Sequence, residues 1–239
     1  MADSPPNPEL MRSLGRLVRG LSALFWGLPA ALVVCFHTAM TPNDALRNLA
    51  VAPPLVCTGV LVYGLWQLSA FQKQERVWRN ALDCARILSL VNFGLSPFLY
   101  WWHRLPSSEF FLVMIIVLQI SGLLFLGSLN VVLRRLGAML PDEALRLDIK
   151  QFTTLNLNFL GVTLVMGALC FVLGRARNLP LQAQNLPLYV QHLVGAFARE
   201  STWFAVIVLL LPLAMTMALL WKTKEVILDS VFGPKPNGT

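Results

Sequence analysis

The side chains in this sequence with most capacity for chemistry are carboxamides and hydroxyls set at helical spacing inside apolar runs. Gln119 and Asn130 stand eleven residues apart, about three helical turns, and so share a face. Ser121 and Ser128, seven apart, make a neighbouring stripe. In the next apolar run Asn156 and Thr163 are again seven apart, with Thr154 and Asn158 one turn from each other. If the two runs form a helical hairpin, Asn130 and Asn156 or Asn158 fall at similar depth near its closed end. Such groups bridge helices by hydrogen bonds or line a path for a ligand, lipid or ion. Asn92, ahead of Pro97, is placed to cap a carbonyl that the proline frees.

Ionisable chemistry is scarce. No apolar run holds a carboxylate or a cation, which argues against proton- or sodium-coupled pumping and against voltage sensing. Asp83 and Arg86 border the third run at the expected cytoplasmic interface, and with Asn92 they are the residues that an enzyme acting on a lipid would use. There is no His-Glu-x-x-His, no Gly-x-Ser-x-Gly, no P-loop and no dinucleotide fingerprint. His37, His103 and His192 are scattered and read as headgroup neighbours. Cys35, Cys57, Cys84 and Cys170 lie in or beside apolar runs without a C-x-x-C pair, and read as small hydrophobes. No catalytic residue, metal or cofactor is therefore expected.

The elements that carry these residues follow from composition. Of 239 residues, 56% are hydrophobic and 13% charged, about half the charged share of a soluble domain. Mean hydropathy is +0.63. Six stretches lack Asp, Glu, Lys and Arg: 21–40, 51–72, 87–103, 110–133, 151–174 and 201–221. A helix needs about 20 apolar residues to cross a ~30 Å hydrocarbon core. The third stretch is short, and spans only if its helix starts back at Ala81 and Arg86 snorkels to the headgroups. The expected fold is all-α, a polytopic bundle of six transmembrane helices over 21–221.

Orientation follows from the cations. With the N-terminus inside, fourteen of the nineteen Lys and Arg fall on inner segments and only Arg47, Arg104, Arg175, Arg177 and Arg199 on outer ones, so both termini are expected to be cytoplasmic. Tyr100, Trp101, Trp102, Trp203 and Trp221 sit at the expected interfaces. Residues 1–20 read as a basic amphipathic leader carrying Arg12, Arg16 and Arg19, lying on anionic inner-leaflet lipids. Pro29 and the sequence His37-Thr38-Ala39 disfavour a cleaved signal peptide. A helix is expected to start near Pro141 and run into span five, and an interfacial helix to lie within 175–201. Residues 222–239 form a cytoplasmic tail whose Gly- and Pro-rich end is expected to be disordered. Pro97 and Pro212 hold corresponding places in a hypothetical three-plus-three repeat, but nothing else in the halves corresponds.

The Arg-, Ala- and Leu-rich usage fits a GC-rich bacterial genome, hence the inner membrane. The expected role is a non-enzymatic scaffold, assembly or accessory subunit of a membrane complex, with membrane-protein partners and no nucleic acid. The alternatives are a small transporter or channel for a neutral or anionic solute, lined by Gln119, Asn130, Asn156 and Asn158, and a membrane enzyme acting on a lipid.

Overall fold

Apolar chain in hydrocarbon can pair its backbone only with itself, and a helix does so within one segment. The computed structural model describes residues 8–40, 51–71, 75–105, 107–139, 143–177 and 210–229. Among these the chain forms α1 (Pro8–Met40), α2 (Ala52–Leu68), α3 (Arg76–Leu95), α4 (Phe98–Arg104), α5 (Glu109–Met139) and α6 (Glu143–Arg177), then α7 (210–229). No strand occurs among the described residues. Three helical stretches are long and apolar enough to cross a membrane, Met11–Ala39, Arg76–Arg104 and Glu109–Met139, and α2 is a shorter apolar helix. The expected interfacial helix within 175–201 lies almost wholly outside the described residues, as do Pro141, Trp203, His192 and the end of the tail.

Leader and first span are one helix. Leu17, Leu21, Leu24 and Leu28 are buried at successive turns of α1, so the stripe that packs on the bundle runs through residue 20 without a break. The 33 residues of α1 extend about 50 Å at 1.5 Å per residue, more than a hydrocarbon core requires. At the other end of the chain, α7 continues past 221 to 229, because Thr223 and Ile227 extend its buried face. α2 opens with prolines in its first turn, where no intrahelical donor is missed.

The third run begins earlier than its apolar stretch, at Arg76, and breaks at Pro97. A proline there removes a donor and crowds the carbonyl four residues back, that of Phe93. Ser96 repairs the loss: its Oγ donates to Phe93 O at 2.9 Å, while its N–H still reaches Asn92 O at 2.9 Å. Pro97 stays helical at φ −62° and ψ −27°, and α4 follows directly. The capping role expected of Asn92 thus belongs to Ser96. Ser96 is fully buried, and its Oγ lies 3.4 Å from Thr58 Oγ1 of α2, whose proton goes to Pro54 O at 2.7 Å.

Neighbouring long helices run antiparallel. Gly20 and Gly27 of α1 meet Gly64 and Leu61 of α2. Thr58 meets Ser96 and Phe71 packs edge-on to Trp78, with ring centroids 6.4 Å apart, which sets α3 against α2. Gly137 of α5 is filled by Ile149 of α6 where that hairpin closes. α7 returns beside α6 and touches α1 through Trp221 and Phe25, 5.4 Å between centroids. This alternation puts Arg12, Arg16, Arg19, Arg76, Arg79, Arg86, Arg134, Arg135, Arg146, Lys150, Lys222 and Lys224 toward one end of the bundle, and Arg104, Arg175 and Arg177 toward the other.

The α1–α2 contact depends on bare backbone. A Cβ on Gly64 would stand 2.9 Å from Leu24 Cγ and 3.1 Å from Gly20 O, and one on Gly20 would stand 2.8 Å from Gly64 O. Gly122 of α5 has nothing within 4 Å of its Cβ position. Gly64→Ala should therefore lower stability in detergent by about 1–3 kcal/mol, as overpacking does. Gly122→Ala should be neutral or stabilising by up to about 1 kcal/mol through helix propensity. Thermal unfolding of the two purified variants separates these outcomes.

Candidate functional site

The polar stripes meet at one place. Over 146–168 of α6 the buried positions are Ile149, Thr153, Asn156 and Leu160, spaced four, three and four, so this part of the helix presents one seam that includes a carboxamide. On α5 Asn130 lies among Leu126, Leu129 and Leu133, and on α7 Thr216 lies four residues after Pro212. Asn130, Asn156 and Thr216 are each 0% exposed. Asn130 Nδ2 donates to Leu126 O at 2.8 Å and to Thr216 Oγ1 at 2.9 Å. Asn156 Nδ2 has three acceptors in reach: Asn130 Oδ1 at 3.0 Å, Thr216 Oγ1 at 2.9 Å and Pro212 O at 3.1 Å. Thr216 Oγ1 donates to Pro212 O at 2.8 Å.

The direction of each amide is dictated by its neighbours. Leu126 O and Pro212 O can only accept, so each facing amide atom must be nitrogen. Thr216 then serves as acceptor to two helices and donor to its own. Two oxygens remain without a donor: Asn156 Oδ1 and, one turn before it, Thr153 Oγ1. Thr223 Oγ1, further along α7, is likewise buried and unpaired. Among the described residues the network therefore pairs every amide proton and the Thr216 hydroxyl, and leaves Asn156 Oδ1 and the Thr153 and Thr223 hydroxyls over.

Not every expected residue joins it. Asn158 is exposed, because two residues is about 200° of helix and carries it to the far side of α6 from Asn156. Gln119 is exposed as well. It shares a face with Asn130 but lies about 16 Å along α5, beyond the level where α7 is described. Asn92 and Ser121 form a second buried pair, Ser121 Oγ donating to Asn92 Oδ1 between α5 and α3 and lying 3.0 Å from Leu118 O. Thr216 was not singled out by spacing within one run. Its mark in the sequence is a threonine four residues after a proline, where the hydroxyl can bond the proline carbonyl.

The paired charges lie toward the cation-rich end of the bundle. Arg86 Nη1 lies 3.2 Å from Asp83 Oδ1, and its guanidinium sits over the Trp66 ring at 5.6 Å. Asp148 of α6 pairs with Lys222 of α7. Lys224 lies over Trp221 at 5.3 Å. Among the described residues, no three of His, Cys, Asp and Glu converge as metal ligands would.

The arrangement is that of a helical membrane bundle braced by a buried carboxamide–hydroxyl network. The chain matches no family model, no curated protein and no solved structure, so its role is argued from its own residues.

Two buried threonines, Thr153 on α6 and Thr216 on α7, make opposite predictions. Thr216→Val removes an acceptor that two buried amides use, and should cost about 1–2 kcal/mol. Thr153→Val removes a hydroxyl with no partner and keeps its shape, and should be neutral or stabilising. Unfolding of both variants in the same detergent tests the assignment; equal losses would contradict it.

Proposed function

We propose that the protein is an integral membrane protein of six spans with both termini on the cytoplasmic side of a bacterial inner membrane. In this reading it serves as a non-enzymatic scaffold, assembly or accessory subunit of a larger membrane complex. The topology is supported by the gathering of cations toward one end of the bundle, which the positive-inside rule makes the cytoplasmic end. It is supported further by the charge-free runs at 51–72, 151–174 and 201–221.

The observation that carries the role is Asn158, a carboxamide left outside on the face of α6 opposite Asn156. Gln119 and Asn158 are exposed on helices whose other exposed residues include Val113, Val117, Ile120, Leu124, Leu155, Val162 and Val165. A carboxamide facing hydrocarbon lacks the partner it would have in water. A neighbouring transmembrane helix with its own amide or hydroxyl supplies one. The same division weighs against a solute path lined by all four amides, since Asn130 and Asn156 are sealed while Asn158 looks outward.

Solubilisation of the tagged protein from its native membrane in a mild detergent should yield stoichiometric membrane-protein partners, identified by mass spectrometry. Gln119→Leu with Asn158→Leu should deplete those partners at least about fivefold, the equivalent of 1 kcal/mol, without lowering the stability of the isolated chain. A partner-free, monodisperse monomer from the native membrane would overturn the proposal.

A further inference from the structure

Between α3 and α5 an open groove of about 600 Å³ runs along the bundle surface. Its wall changes character along its length. Asn80 and Asp83 line it near the start of α3, and Ile87 and Leu88 line it one to two turns further on. The Asn92–Ser121 bond sets the antiparallel register with α5, so Ser128 lies across from the polar end and Leu124 across from the apolar end. A groove polar at the headgroup level and apolar toward the membrane interior matches an amphiphile lying along the bilayer normal.

The charges at the polar end discriminate among amphiphiles. Asp83 is 56% exposed; its Oδ1 is held by Arg86, whereas Oδ2 has no partner among the described residues. Arg86 is itself held in place by Asp83 and by the Trp66 ring. Arg79 and Arg76 are exposed one and two turns toward the start of α3. A phosphate is attracted to these arginines, but an anionic headgroup would also set its charge beside Asp83. A choline headgroup brings a cation that cannot donate a hydrogen bond. An ethanolamine headgroup offers its phosphate to arginine and its N–H donors to the carboxylate, a charge-assisted bond.

We propose that the α3–α5 groove binds one phosphatidylethanolamine, its ammonium on Asp83 and an acyl chain along Ile87, Leu88 and Leu124. The site requires α3 and α5 to stand in a bilayer and does not depend on membership of a larger complex.

Cys84 is an exposed thiol in the wall of this groove and reports its occupancy. With Cys35, Cys57 and Cys170 replaced by alanine, the full-length protein is placed in phosphatidylcholine nanodiscs doped with either phosphatidylethanolamine or phosphatidylglycerol. Maleimide labelling of Cys84 and native mass spectrometry then read protection and retained lipid. Phosphatidylethanolamine should slow labelling about fivefold relative to the other two compositions, the ratio given by one ion pair near a membrane surface, and one molecule should stay bound. Asp83→Asn, an exposed change that the fold should tolerate, should abolish that preference. Leu124→Trp, which fills the apolar end, should eject the lipid. Equal protection by all three lipids, stronger protection by phosphatidylglycerol, or protection that appears only when a partner protein co-purifies would each overturn the proposal.

Discussion

Inside a membrane a polar side chain without a partner has no water to turn to, and the α5–α6–α7 side of this bundle is organised around that constraint. Asn130, Asn156 and Thr216 come from three different helices, each fully buried, and every amide proton among them has an acceptor within 3.1 Å. A shift of one helix along its axis would separate these partners at once, so the network fixes register where apolar contacts such as Leu129, Leu133 and Leu219 are permissive. Pro212 contributes through its carbonyl, which accepts from both Asn156 and Thr216.

The opposite side of the bundle obtains its register differently. α1 and α2 approach until Gly20 and Gly64 leave no space for a methyl group, the close packing that small residues permit between membrane helices. Where α3 must tolerate Pro97, a local serine restores the pairing that the proline breaks, and the same hydroxyl meets Thr58 of α2. Both devices serve one end, closely packed helices whose exposed residues include Trp26, Val33, Trp66, Ile87 and Val165.

Much of this could be read from residue spacing, and the failures have physical causes. The α5–α6 hairpin is short enough that depth can be counted across its turn, so Asn130 and Asn156 were expected at one level. The choice between Asn156 and Asn158 needed the buried seam of Ile149, Thr153, Asn156 and Leu160, whose spacing of four, three and four is visible in the sequence once sought. Thr216 escaped because some thirty residues separate α6 from the described part of α7, and no counting carries register across such a segment. Gln119 shows the limit of a helical wheel, which gives direction but not what stands at that height.

A bundle that buries a braced polar network and presents apolar helices with Asn158 outward has a surface suited to being packed against. The claim beneath this is that the Asn130–Asn156–Thr216 network is sealed, and thiol accessibility tests it most directly. In a background with all four native cysteines replaced by alanine, Asn156→Cys and Thr216→Cys are compared with Arg135→Cys, at an exposed helix end, using a water-soluble thiol reagent on the folded protein in membranes. A sealed network predicts that positions 156 and 216 stay unmodified until denaturant is added while position 135 reacts readily. Labelling of 156 or 216 at a rate near that of 135 would mean that water reaches the network and that these amides line a path.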